Sequence, residues 1–85
     1  MAERLVGTVT HYFDKVHAAA VELTGDLKVG DTIHVVGHTS DFTQEVESMQ
    51  VEHEAVESAK PGDDVALGVA DRAREHDEVY VVTPD

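Results

Sequence analysis

The sequence predicts an all-β fold, and three observations carry that prediction. The apolar content is mostly valine and alanine, fifteen Val and nine Ala among 85 residues, and branching at Cβ suits the pleated surface of a strand. Short stretches such as Arg4 to Phe13 are rich in β-branched residues and can be split into two faces at a period of two. Turn signals built on glycine punctuate the chain closely at Thr24-Gly25-Asp26 and Val29-Gly30-Asp31 and again at Pro61-Gly62-Asp63. A chain of 85 residues is enough for one domain, taken here as residues 1–85, and buries about 60–65% of its unfolded surface. Its hydrophobic content of 41% suffices for a folded core.

Arg4 to Phe13 reads as the first strand, with Leu5, Gly7, Val9, His11 and Phe13 on the more apolar face and Val6, Thr8, Thr10 and Tyr12 on the other. Asp14-Lys15 supplies a hairpin turn, and Val16 to Leu23 returns with Ala19, Val21 and Leu23 inward. The triple alanine alone favours a helix, but eight residues between turn signals are short for one. Turns follow at Thr24-Gly25-Asp26 and Val29-Gly30-Asp31, where glycine supplies a positive φ at no steric cost. Thr32 to Val36 is a short strand ended by Gly37, and His38 to Phe42 a polar loop carrying one large apolar residue.

Residues 43–60 are ambiguous. As a strand the segment has Val46 inward, then Met49 and Val51 on the opposite parity, which requires a bulge near Glu47-Ser48. As a helix it has Val46, Met49, His53 and Val56 at spacings of three and four. Lys60-Pro61-Gly62-Asp63 is a type II turn signal, with Pro and Gly at its two corners. Val65 to Val69 is the next strand, Ala70 to Asp77 a charged connection, and Glu78 to Thr83 the last strand. The segments Lys28 to Ile33 and Lys60 to Val65 share the pattern Lys-X-Gly-Asp-X-aliphatic. They read as two turns that each feed a strand.

Eighteen acidic residues against six Lys and Arg give a net charge of −12. That field repels phosphate backbones, so direct non-specific nucleic-acid binding is not expected. The acidity reads as adaptation to a salty cytoplasm, with a surface facing a basic partner as the alternative. Cysteine is absent, which excludes disulfides and thiol chemistry and makes a reducing cytoplasm the default location. No apolar run approaches the roughly 20 residues of a membrane span, and the N-terminus lacks a signal-peptide pattern.

No phosphate-cradling Gly-x-x-x-x-Gly-Lys-Ser/Thr motif is present, so GTP hydrolysis is not expected. Ser40, Ser48 and Ser58 stand in no nucleophile-elbow context. The pairs His34/His38 and His11/His17 bring no third ligand. Catalytic residues, metal and cofactors are therefore all expected to be none. Tyr12 and Phe13 are adjacent and cannot both point into a β core, so one of them, beside His11, is either available to stack on a base or dock a protein, or packs under the loop containing Phe42. Phe42 completes the candidate binding set of His11, Tyr12, Phe13 and Phe42.

Leu27 to Ile33 resembles a segment of the second domain of elongation factor Tu and its relatives. Val46 to Glu54, followed by Val56, Ala59 and Pro61-Gly62-Asp63, resembles the next stretch of that domain, and Gly7-Thr8-Val9 its opening strand. The resemblance covers residues 5–69 and extends to small proteins described as translation-elongation-factor-like. A related barrel occurs at the C-terminus of some collagenase-like peptidases. The resemblance implies a closed antiparallel Greek-key barrel of about six strands, with residues 43–54 as one bulged strand and Gly25, Gly30, Asp31, Pro61, Gly62 and Asp63 forming its turns. Two departures stand out. Val21-Glu22-Leu23-Thr24-Gly25 is one residue longer than the family's version, and Asp77-Glu78-Val79 stands where the family carries a glycine before the last strand. The function implied is a non-catalytic binding module with a protein or ribonucleoprotein partner in translation. The alternative is a structural or regulatory subunit docking onto a separately encoded enzyme.

Overall fold

A computed structural model describes residues 2–83. Its strands are β1 (Ala2–Phe13), β2 (Ala18–Leu23), β3 (Leu27–Lys28), β4 (Thr32–Val36), β5 (Asp41–Glu45), β6 (Met49–Val51), β7 (Glu54–Val56), β8 (Ser58–Ala59), β9 (Asp64–Gly68) and β10 (Glu78–Thr83). The described residues form no helix, and none is long and apolar enough to cross a membrane. Eight strands make one sheet in the order β5-β4-β10-β1-β2-β9-β6-β7, while β3 and β8 pair as a separate ribbon. Every pairing is antiparallel. Six strands are five residues or longer, and four shorter ones exceed the expected number. No ladder joins the terminal strands β5 and β7 among the described residues.

The core follows from alternation. In β2, β4, β9 and β10 every second residue is buried: Ala19, Val21 and Leu23; Ile33 and Val35; Val65 and Leu67; Val79 and Val81. With Val6, Val9, Leu27, Val46 and Met49 they form one hydrophobic cluster. Full burial of each valine, leucine, isoleucine or methionine among them is worth about 1.5–3 kcal/mol. The short Ala18–Leu23 segment is a strand despite its three alanines because its inward row joins this cluster, whereas a helix there would break the pairing with β1 and β9.

The first strand departs from simple alternation. Its register steps from Leu5–Tyr80 to Gly7–Val79 against β10, and from Val9–Val21 to His11–Ala20 against β2. Each bulge inserts one residue and flips the faces beyond it. The inward set is thus Val6, Gly7, Val9 and the half-buried Tyr12, while Leu5 and Phe13 are 42% and 44% exposed. This corrects the single inward face expected for Leu5 through Phe13. Gly7 has no room for a side chain: a Cβ there would lie 2.6 Å from Val21 Cγ1 and 2.9 Å from the Glu22 carbonyl oxygen. The hairpin turn is also wider than Asp14-Lys15, since Val16 and His17 belong to it and β2 begins at Ala18.

Two middle segments are corrected. Asp41 and Phe42 begin β5, paired to β4 through Val36–Asp41 and Val35–Phe42, and are not loop. Residues 43–54 are not one bulged strand: the chain leaves the ladder over residues 46–48 and re-enters as β6. Val46 still turns inward, held by its N–H to the Asp31 carbonyl at 2.8 Å and its carbonyl to the Gly30 N–H at 2.9 Å. A tight hairpin then joins β6 to β7, with Glu52 and His53 at positive φ of 52° and 65°.

The two glycine–aspartate turns share one hydrogen-bond pattern. Asp31 N–H donates to the Lys28 carbonyl at 3.1 Å, and the Asp31 carboxylate accepts from Lys28 N–H at 3.1 Å. Asp63 repeats this with Lys60 at 3.1 and 3.0 Å. Gly30 and Gly62 take φ of 98° and 94°. Pro61 occupies the corner before Gly62. Gly25 does not take a positive φ; it lies against Val6, whose carbonyl accepts its N–H at 3.2 Å.

Candidate functional site

The end of β1 gathers three of the four residues singled out from sequence. The second bulge turns Tyr12 toward the core and leaves His11 and Phe13 outside. The rings of His11 and Phe13 meet edge to face at 4.5 Å. The connection from β9 to β10 folds over this corner. The Arg72 guanidinium lies 5.8 Å from the Tyr12 ring centre and 3.9 Å from the Asp14 carboxylate. Glu75 stands 3.8 Å from His11 Nδ1. His11, Tyr12, Arg72, Arg74 and Glu75 line an open cavity of about 490 Å³. Phe42 is not part of it: on β5 it packs half-buried against the hydrophobic cluster. Arg72, Arg74 and Glu75 escaped sequence reasoning, because Ala70 to Asp77 read only as a charged connection.

A second polar cluster lies on the outer face of the sheet. The ring of His34 on β4 faces carboxylate acceptors at both nitrogens, with Nε2 2.5 Å from Asp41 Oδ1 on β5 and Nδ1 2.9 Å from Glu3 Oε2 on β1. Its side chain is 22% exposed. The hydrogen bond to Asp41 raises its pKa above the ordinary histidine value, the contact with Glu3 adds to this, and partial burial opposes it. On β10, which runs between β4 and β1, Tyr80 donates its hydroxyl to Glu78 at 3.2 Å, and that bond raises the phenol's pKa. With both ring nitrogens facing carboxylates, the surroundings of His34 favour its doubly protonated form, and its contacts tie three strands together. Among the described residues no three His, Asp or Glu side chains converge in a way that could hold a metal ion.

Comparison with solved structures places this architecture. The C-terminal domain of a putative U32 peptidase from Geobacillus thermoleovorans superposes with a TM-score of 0.86 at 21% identity, over 92% of this chain and 91% of that one. Its selenomethionine variant gives a TM-score of 0.85 at 22% identity, over 89% and 96%. The chain shares that domain's fold. Among curated proteins it is 42% identical over 78 residues to an uncharacterised protease of Methanocaldococcus jannaschii, covering 91% of this chain and 19% of that protein. A collagenase of Porphyromonas gingivalis is 32% identical over 77 residues, covering 88% and 21%. The chain thus spans about a fifth of the length of the curated relatives it matches. No family model matches it.

These findings correct the functional expectations. The likeness to elongation factors is not what the relatives carry: they are named as proteases and collagenases, and the superposed structures as a peptidase domain. The translation-linked, non-catalytic binding module is withdrawn on that ground. So is the expectation that the chain is not an enzyme, since the relatives are named as proteases and collagenases. The error has a physical source. The Gly-Asp turns that carried the resemblance each lead into a strand of the sheet, and a turn of that kind reports fold rather than site.

Proposed function

We propose that this chain works as a β domain of a protease of the kind its curated relatives are named for, within the same polypeptide or held against it. The observation that carries the reading is the 42% identity over 91% of this chain, confined to a fifth of a protease. The surface proposed to engage protein is the corner of His11 and Phe13 with the adjoining hairpin tip. Phe13 is 44% and Val16 69% exposed there, and apolar groups left in water on a protruding hairpin gain by burial against a protein surface. Tyr12, packed on the core between His11 and Phe13, anchors the strand end that carries them. A reducing, cytoplasmic setting belongs to the same proposal and is supported by the absence of cysteine.

The finer architecture belongs here too. We take the sheet to curl into a closed Greek-key barrel, and the support is a side chain. Gln44 on the edge strand β5 donates to the Gly68 carbonyl at 2.9 Å and accepts from the Ala70 N–H at 2.7 Å, reaching the far end of β9.

The test is a graft. The matching fifth of the Methanocaldococcus protease is deleted, or replaced by this chain, and hydrolysis of a protein substrate is followed. Deletion is expected to lower hydrolysis at least tenfold and the graft to restore it, while a graft carrying Phe13→Ser and Val16→Ser is not. Hydrolysis indifferent to the deletion would remove the proposal.

A further inference from the structure

The six Lys and Arg of this chain are outnumbered three to one by acids, yet three of them, Arg4, Lys28 and Lys60, line one cleft of about 450 Å³. The cleft lies between the β3–β8 ribbon and the ends of β1 and β10. None of the three has an ion-pair partner among the described residues, unlike Arg72. Two carboxylates also line the cleft, Asp26 and Asp31. The second is held by the Lys28 backbone N–H at 3.1 Å. Three cations against two anions make this cleft net positive within a chain of net charge −12. The buried side chains Leu27, Ala59 and Val81 form its floor.

We infer that this cleft binds the free C-terminal carboxylate of a peptide whose last residue is apolar. Unpaired cations beside an apolar floor ask for a negative charge joined closely to a hydrophobic group, and the α-carboxylate sits one carbon from its own side chain. An Asp or Glu side chain carries its charge without such a neighbour. A cleft of this size holds a few residues, not a folded partner. A nucleic-acid strand brings a charge at every step into the field of the whole chain, whereas a single carboxylate meets mainly the three cations. The inference rests on the protease reading only in taking peptide as the ligand.

The probe is N-acetyl-Ala-Ala-Leu with a free carboxylate, titrated calorimetrically into the intact chain at low salt beside the same peptide as its C-terminal amide. The acid is expected to bind at least about tenfold more tightly, the equivalent of about 1.4 kcal/mol. Backbone amide shifts are expected at Lys28, Ser58 and Ala59. The combined variant Arg4→Gln, Lys28→Gln and Lys60→Gln should abolish the preference, while Lys15→Gln on the β1–β2 turn should leave it. Equal binding of acid and amide overturns the inference on the unmodified chain, without recourse to any variant. So does tighter binding of a single-stranded oligonucleotide at the same cleft, or equal loss in Lys15→Gln. Failure here leaves the graft result standing, and failure of the graft leaves carboxylate binding standing, so the two readings fall separately.

Discussion

At Arg74-Glu75-His76-Asp77 the chain makes its third copy of the aspartate turn. Asp77 N–H donates to the Arg74 carbonyl at 3.1 Å, and the buried Asp77 carboxylate accepts from Arg74 N–H at 2.8 Å. His76 sits where Gly30 and Gly62 sit, at φ 73°. Each turn then delivers an aspartate, one residue, and a buried aliphatic: Ile33, Val65 or Val79. Two copies were legible in the sequence because glycine announces a positive φ; the third was not, because histidine does not. A non-glycine residue there costs about 1–2 kcal/mol, while glycine loses about 0.5–1 kcal/mol more backbone entropy on folding. His76→Gly should therefore stabilise the chain by about 0.5–1 kcal/mol, raising the thermal midpoint by a few degrees. A lowered midpoint would show that the histidine side chain is needed at that turn. His34 gives a prediction of a different kind. Its folded pKa is raised above the ordinary value near 6.5, so folding binds the proton more tightly than the unfolded chain does. The stabilisation is full below about pH 6.5 and is lost as pH rises through the raised folded value. The charged groups around it are Asp41 from β5 and Glu3 from β1, with Glu78 and Tyr80 on β10 beside them. His34→Gln should remove this part of the fall in thermal midpoint between pH 6 and pH 9. An NMR titration placing His34 at or below 6.5 would contradict it.

Among the elements, β2, β4, β9 and β10 were readable because each carries two or three aliphatics at a period of two, and those residues became the core. β5 was not readable: in Asp41-Phe42-Thr43-Gln44-Glu45 only Phe42 is apolar, so the alternation has one inward mark and no repeat. What holds β5 beyond its ladder to β4 is Gln44, whose single amide supplies both a donor and an acceptor to the backbone at Gly68 and Ala70. A side-chain amide can imitate one rung of strand pairing because it carries the same N–H and C=O as a peptide unit. Glutamine in a short polar run gives no sequence signal of such a role, and the partner is 24 residues away. Gln44→Ala leaves the Ala70 N–H and the Gly68 carbonyl without it and should cost about 1–2 kcal/mol in urea unfolding. Gln44→Glu keeps the acceptor for Ala70 but sets a carboxylate against the Gly68 carbonyl, so it should recover little of that loss. Both should speed amide exchange at Ala70. A Gln44→Ala variant as stable as the parent would mean that the two bonds are made equally well by water.

For the molecule as a whole, the governing quantity is the net charge of −12 set on a body with a radius of gyration of 11.3 Å. At 0.1 M salt the screening length is about 10 Å, close to that radius, so carboxylates on all sides repel one another; at 1 M it is about 3 Å, and only neighbours do. The described ion pairs relieve little of this. Of the four, three involve histidine, and the fourth joins Arg72 to Asp14 at 3.9 Å on the surface, where such a pair is worth at most about 1 kcal/mol. Self-repulsion in the folded state is reduced on unfolding because the chain expands. The stability should therefore rise with KCl between 0.1 and 1 M and then level off, since screening saturates once the screening length falls below the spacing of the charges. A general salting-out effect would instead keep rising above 1 M. Replacing the exposed Glu45, Glu47, Glu52, Glu54 and Glu57 by glutamine should raise the thermal midpoint at 0.1 M and flatten its salt dependence, because the repulsion is then absent before any salt is added. If the midpoint in low salt is unmoved by those substitutions, the acidity is not a burden on folding, and a basic partner surface becomes the better account of it.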